Sequence, residues 1–499
     1  MENEKALEFV SLDLERASAA PVDKATAGTT PEDSFLVGFT GPTDPDDPKA
    51  WPKVMKWSIT GVLSATGFVR ILVSTIMAPA LPTIAAELNM NDIESVMAMS
   101  VYLLSTAFGP LVIAPLSEVC GRRPVLHATN MWTLVWNLAC GFANDKGFLI
   151  AARLMAGFGA GAIYVLAGGV LGDIWRPEQR GTSLGLYAFV PLLGAAVGPI
   201  IGGVVAQNTT WRWIFWGTSI VQVVTVIGSI IVFKETYAPV ILRGKAQKLR
   251  KKTGELRYMS SIEKLNSDRT AMWILRRSLS RPIRLLLFHP IVQIQTCLSA
   301  FNYGILYLVL TTYSTIWTAK YQQTADISGL HYIALCLGEI IGAVFGGPLM
   351  DLTYRRLRAR NQGSTYPEFR APILLPATAL SVIGFLWYGW SAQSRAFWLL
   401  VDIGAAVLSI GMQLAGMVVQ AYVIDSYHDH VSSASAGAQL VRSLTAFGFP
   451  LFAPAMYSAM GYGWANTLLA LVSVVISVPA AWLIWFYGAK MRGKVQSSY

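Results

Sequence analysis

Ala114-Pro115-Leu116-Ser117-Glu118-Val119-Cys120-Gly121-Arg122-Arg123 recurs in pattern 233 residues later as Gly347-Pro348-Leu349-Met350-Asp351-Leu352-Thr353-Tyr354-Arg355-Arg356. Each copy ends an apolar stretch with a small residue, Pro and Leu, then places an acid four residues ahead of an arginine pair. The same offset carries the start of the first long apolar run, near residue 57, onto the start of the seventh, near residue 290. Repetition on that scale means that two units of the chain are built alike. Two like-oriented units related by an axis along the membrane normal are the architecture of carriers made from parallel repeats.

The runs around these segments are long enough to cross a bilayer. Of 499 residues, 54% are hydrophobic and only 14% charged, with a mean hydropathy of +0.47, whereas soluble domains carry nearer a quarter charged residues. At about 20 residues per span, six spans are expected near residues 57–80, 94–115, 124–143, 148–173, 182–206 and 212–233. Six more are expected near 290–316, 329–350, 372–391, 397–421, 434–457 and 462–487. The fold class is therefore an all-α polytopic membrane protein of twelve spans in two six-helix bundles. Its divisions are a tail at 1–53, a first bundle at 54–233, a central loop at 234–285, a second bundle at 286–487 and a tail at 488–499.

Residues 1–50 hold eleven acidic and four basic residues among Pro-rich text, so the first tail is expected to be disordered. It has no basic start followed by an apolar segment, which excludes a cleaved signal peptide. Lys and Arg collect in alternate loops: Arg122 and Arg123, Arg176 and Arg180, Arg355 to Arg360, and Lys490 to Lys494. The intervening loops carry only Lys146, Arg212, Lys320 and Arg395. Retention of basic loops in the cytoplasm puts both termini and the basic central loop there, where Arg250-Lys251-Lys252 can touch anionic lipid. The net charge of +10 is thus a topology signal, with no nucleic-acid partner implied. Cys120, Cys140, Cys297 and Cys336 have no paired spacing and read as structural.

Three stretches resemble a known family. Gly185-x8-Gly194-x3-Gly198-Pro199-x2-Gly202-Gly203 is similar to the antiporter signature of the major facilitator superfamily. Glycines at this spacing let a neighbouring helix approach closely, and Pro199 permits a bend. The loop Pro115 to Pro124 resembles the superfamily's loop between spans 2 and 3, with Glu118 where Asp is usual. The stretch from Arg153 through Gly157, Gly168, Gly169, Gly172, Asp173 and Trp175 to Arg180-Gly181 resembles its fourth-span motif in fungal form, with Ala156 where many bacterial relatives have Gln. With Trp211-Arg212-Trp213, Tyr422-x-x-Asp425-Ser-Tyr427, Arg442-Ser443-Leu444 and Pro450 to Pro454, the resemblance is to fungal twelve-span drug:proton antiporters. It implies efflux of small organic molecules across the plasma membrane, driven by protons, by a monomer without cofactor or metal.

Charges inside the membrane mark pathways. Glu339 lies ten residues into the eighth span, about 15 Å deep; a desolvated carboxyl there is expected to exchange protons. Arg153, from the family pattern, is the second proton-coupling candidate, against the simpler expectation that it snorkels to the outer interface. Arg70, roughly 20 Å along the first span, is the best anion contact if it faces a central cavity, and otherwise snorkels outward or is neutralised by an acid such as Glu339. Asn302 and Gln413 are polar at inner depth and join Arg70 as substrate-binding candidates. Glu118, Arg122 and Arg123, with Asp351, Arg355 and Arg356 in the weaker second copy, form a conformational clamp. Asp402, five residues into the tenth span, reads as structural.

Several look-alikes are set aside. Gly181-Thr182-Ser183-Leu184-Gly185 opens a membrane helix with no preceding strand, so it is no nucleophile elbow. Gly157-x-Gly159 is helix packing, and His428-x-His430 lacks metal spacing. Asn208-Thr209-Thr210 lies too close to the membrane for glycosylation. The expected activity is proton-coupled export of a toxic compound or secondary metabolite. A carrier for a small carboxylate and a transporter-like nutrient sensor remain as alternatives, and no catalytic constellation suggests an enzyme.

Overall fold

The computed structural model describes residues 35–41, 44–260, 283–362, 366–426 and 431–496. Its helices are α1 Lys53–Thr75, α2 Leu81–Glu87, α3 Asp92–Cys120, α4 Arg122–Cys140, α5 Lys146–Ala160, α6 Ala162–Ile174, α7 Pro177–Asn208 and α8 Arg212–Val232, then α9 Ala238–Thr253 in the central loop. The second half contains α10 Pro290–Thr315, α11 Ala325–Arg360, α12 Leu374–Gln393, α13 Trp398–Ser426 and α14 Val431–Gln496. Helices are the form in which an apolar segment satisfies its own backbone in lipid.

Ten helical segments among the described residues are long and apolar enough to cross a membrane. The tenth is two helices joined at Gly461, whose φ of 73° breaks α14, and Gln393 accepts the backbone N–H of Gly463 at 2.7 Å beside the break. Arg122–Cys140 falls short of that apolarity because it carries Asn130, Thr133 and Asn137. These are buried, and Asn137 donates to Phe215 O, Thr218 Oγ1 and Ser219 Oγ at 2.9–3.1 Å, so α4 packs as the third crossing. The twelve-helix arrangement follows. α5 and α6 form one crossing, broken at Gly161 where α3 passes so closely that a Cβ would meet Pro110 Cδ at 2.8 Å.

Gly194 lets α7 lie against α1, since a Cβ there would meet Phe68 O at 2.6 Å, and Gly198 and Gly202 face Leu72 and Ile76 likewise. Gly203 and Pro199 instead touch the other half: a Cβ on Gly203 would meet Ala325 O at 2.5 Å, and one on Gly329 would meet Pro199 O at 2.7 Å. The contacts of Gly185 lie outside the described residues.

The apolar core is asymmetric along the bundle. At the end holding residues 76–91 and 316–324, one buried cluster runs across both halves, from Ile76, Met77 and Tyr102 to Ile305, Tyr313 and Tyr332. At the arginine-loop end, described core residues divide into separate clusters, one around Leu63, Ile113 and Leu171 and others around Leu298, Leu374 and Val418 or Ile291 and Val423. Among the described residues, the cores of the two halves are thus joined at one end and separate at the other.

The first tail differs in part from its sequence expectation. Leu36–Val37 (β1) pairs in parallel with Met259–Ser260 (β2), and Lys245 of α9 bonds Asp44 Oδ2 at 2.9 Å and Asp46 Oδ2 at 3.0 Å. Partners from the central loop, more than 200 residues away in sequence, supply the order that an acidic, Pro-rich segment lacks by itself.

Candidate functional site

Where the halves meet at mid-depth, α1, α3, α6, α10 and α14 contribute a polar aromatic cluster. Tyr307 of α10 shares a hydrogen bond with Ser74 of α1 at 3.3 Å, and Tyr303 stands edge-on to it with centroids 5.1 Å apart. The Arg442 guanidinium lies 4.4 Å over the Tyr303 ring. Ser443 meets Thr106 of α3 across the interface at 3.0 Å and accepts from Gln439 at 3.1 Å. Tyr164 of α6 reaches the same pair of tyrosines. Among the described residues no acid pairs with Arg442, and its Nε is buried without a partner.

Glu339 lies on the face of α11 opposite the exposed Ile333, Leu337, Ile341 and Val344, so it points away from lipid and into the protein. No ion pair reaches it among the described residues. Gln413 of α13 packs on Gly342, whose Cβ would meet Gln413 Cβ at 3.0 Å, one turn from Glu339. Gln413 thus packs on α11 at Gly342, three residues along the chain from Glu339. Asn302 is half-buried beside Tyr303.

Arg70 does not face the interface between halves. It turns into the first bundle, donating to Asn130 Oδ1 at 2.6 Å and Thr129 O at 3.3 Å, in a small polar pocket completed by Thr66, Gln222 and Thr225. Its partners are amide and carbonyl oxygens of α4, and Glu339 is not among them. Arg153 does not snorkel: it is fully buried, with Nη1 donating to Val73 O at 3.0 Å and Nε to Ala98 O at 3.3 Å, and its guanidinium lies 4.6 Å over Tyr102. Its reach to carbonyls of α1 and α3 makes it a tie between three helices, where a depth estimate alone placed it at the membrane edge.

The two clamp copies differ. Gly121, at φ 99°, ends α3, and the Glu235 carboxylate occupies the space a Cβ would need. Glu235 accepts the backbone N–H groups of Arg122 and Arg123 at 2.9 and 3.1 Å, capping the positive end of α4. Arg122 is held by Ser117 Oγ at 2.5 Å, Asp173 at 3.5 Å and the Tyr237 ring at 4.8 Å. Burial pushes the Tyr237 phenol up to about 12. Glu118 is exposed at the rim. In the second copy Tyr354 replaces the glycine, so α11 runs unbroken to Arg360 and leaves Asp351, Arg355 and Arg356 exposed. Tyr354 packs on Phe369, centroids 5.9 Å apart, under Arg370.

Gly181 to Gly185 lie within α7 and Gly157 and Gly159 within α5, as helix packing requires; His428 and His430 are outside the described residues. Tyr164 and His331 belong to no motif legible in the sequence, and Arg442 stands out there only in the family-like triplet Arg442-Ser443-Leu444. The signal available was the aromatic pair Tyr303 and Tyr307 one turn apart, which most often means packing.

Two stacked bundles of membrane helices around a polar interface define a carrier fold. A sequence profile of the Major Facilitator Superfamily matches residues 63–450, and the chain belongs to that superfamily. It is 52% identical to the probable efflux pump mfs2 of Aspergillus flavus over 85% of this chain and all of that one. It is 37% identical to the efflux pump vrtL of Penicillium aethiopicum, covering 96% and 95% of the two chains. The xylose transporter XylE from E. coli, in a partially occluded inward open conformation, shares the fold with a TM-score of 0.63 at 14% identity, over 87% of this chain and 98% of that one. The protein is a multi-pass membrane transporter with fungal efflux pumps among its relatives.

Proposed function

We propose that the protein exports a small organic molecule in exchange for protons, from the cytoplasmic side of the plasma membrane, with both termini in the cytoplasm. The observation that carries this reading is the pair of charges in the second half without an ion-pair partner among the described residues, Arg442 over Tyr303 and Glu339 on the inward face of α11. Such charges are costly in a membrane and persist where cargo or protons neutralise them in turn. The core, shared at one end and divided at the arginine-loop end, supports a state whose cavity opens toward the cytoplasm. The named efflux pumps among its relatives support the outward direction. Tyr164, Tyr303 and Tyr307 offer aromatic surface to a planar cargo, and Arg442 an anion contact.

A second reading, a carrier selective for a carboxylate, is favoured by Arg442, which takes the anion-contact position expected of Arg70. One experiment separates them: untargeted comparison of metabolites in medium and cells, with and without overexpression, with and without a protonophore. Proton-dependent release of neutral or cationic aromatic compounds supports drug-type export. Release confined to carboxylates supports the second reading, and release indifferent to the protonophore refutes proton exchange.

A further inference from the structure

A second titratable cluster lies at the end of the bundle opposite the arginine loops, outside the central site. His331 of α11 and Asp402 of α13 are both buried, with His331 Nδ1 2.8 Å from Asp402 Oδ2. Tyr313 of α10 donates to Asp402 Oδ1 at 2.7 Å. The other imidazole nitrogen, Nε2, sits 2.9 Å from Gln323 Oε1. The ring stacks on Trp317 at 3.6 Å and 7°, and Trp398 closes its edge at 5.8 Å.

We infer that His331 and Asp402 form a proton-binding site loaded from the extracellular side, and that its occupancy sets the closed state of the outer gate. The inference rests on the proton-exchange reading above. An amide oxygen and a carboxylate facing the two ring nitrogens complement a doubly protonated imidazolium. When Nε2 releases its proton to water, rotation of the Gln323 amide presents an N–H to the bare nitrogen, so the hydrogen bond survives in both states. Only the N–H bond at Nε2 breaks, and the pair passes from neutral to singly negative. Gln323 is half-buried in the loop between α10 and α11, which leaves Nε2 one side chain from the outer surface.

The link to the gate runs through α10. Ser314, next to Tyr313, donates across the interface to Ala78 O at 3.2 Å. The π-helical turn Ile316–Lys320 follows, and Gln323 N–H closes it on Trp317 O at 2.9 Å. Such turns recur at functional sites. The other groups facing the pair are the phenols of Tyr332 and Tyr388, packed on Tyr313, and Tyr321, bonded to Ala396 O. The nearby cations are Lys320, anchored on Ala392 O at 3.3 Å, and Arg395, within electrostatic reach of Lys320 and Tyr321. Glu339 lies eight residues further along α11, about 12 Å deeper.

The test pairs two readouts on the full-length protein: efflux from overexpressing cells as external pH is varied from 5 to 8, and tryptophan fluorescence of the purified protein in lipid nanodiscs over the same range without a gradient. His331→Gln and Asp402→Asn should flatten the external-pH profile to less than about twofold. A fluorescence step in the wild type should vanish in His331→Gln and, because it reports Trp317, in Trp317→Phe. If proton-driven efflux keeps its external-pH profile in His331→Gln, or the wild type shows no fluorescence step, the site is overturned and proton exchange stands on Glu339. If efflux ignores the gradient while the step is present and lost in His331→Gln, the site stands and the exchange reading falls.

Discussion

Gly121→Ala should disable the first clamp, and the magnitude follows from two features of that position. Its φ of 99° and ψ of 160° lie in a region that side-chain-bearing residues occupy at a cost of about 1–3 kcal/mol. A Cβ there would also displace Glu235, which accepts the two leading N–H groups of α4; losing a charge-assisted cap costs about 1–3 kcal/mol more. Because 1.4 kcal/mol is tenfold in an equilibrium, the state holding this clamp should lose about thirty-fold or more in population, and turnover should fall with it. Glu235→Gln keeps the shape and weakens the charge, so it should lose less. Tyr354→Gly at the equivalent position should change transport little, since Asp351, Arg355 and Arg356 are already exposed. The assay is efflux normalised to surface protein, with thermal stability in detergent to score folding. Gly121→Ala with wild-type turnover and stability would refute the reasoning.

Arg442→Gln should raise the apparent KM for an anionic or aromatic cargo about tenfold or more, while Arg70→Gln should lower thermal stability and leave KM unchanged, because Arg70 bonds only within the first bundle; a KM effect confined to Arg70→Gln would reverse the assignment. Glu339→Gln should abolish the protonophore sensitivity of efflux without loss of surface protein, and unchanged pH dependence would remove Glu339 from the pathway. Gly203→Val, which forces α7 off Ala325, should hold the outer face open, read as faster labelling of Ser314→Cys by a membrane-impermeant maleimide. The Asp44–Lys245 strap should hold from about pH 4 to about pH 10. Burial raises Asp44, but Lys245 and the Thr40 and Asp46 N–H groups outweigh it and hold the carboxyl below its usual range, so that contribution is lost only as pH falls through the lowered value. Burial lowers Lys245, but Asp44 and Asp46 outweigh it and raise the ammonium, so its contribution is lost only above the ordinary lysine range. Hydrogen exchange at residues 36–41 that rises markedly between pH 5 and 8, after correction for intrinsic rates, would contradict this.

Apolar run length and the 233-residue repeat were enough to define twelve crossings and two like halves, because in lipid each span must satisfy its own backbone and announces itself locally; the family was legible only through the resemblance of the motifs at Pro115 to Pro124, Arg153 to Gly181 and Gly185 to Gly203. The glycine-rich face of α7 was legible for the same reason: spacing of small residues is a property of one helix. Which way a side chain points was not, since lipid-facing and neighbour-facing positions are equally apolar and the periodicity that orients a soluble helix is erased. Arg70 and Arg442 look alike as isolated charges in the sequence; only packing turned the first into the α4 interface and set the second over Tyr303. Asp402 read as a shallow structural acid until the fold brought His331, 71 residues away, against it. Tertiary structure alone decided these pairings, because a buried charge takes its character from partners that lie on other helices.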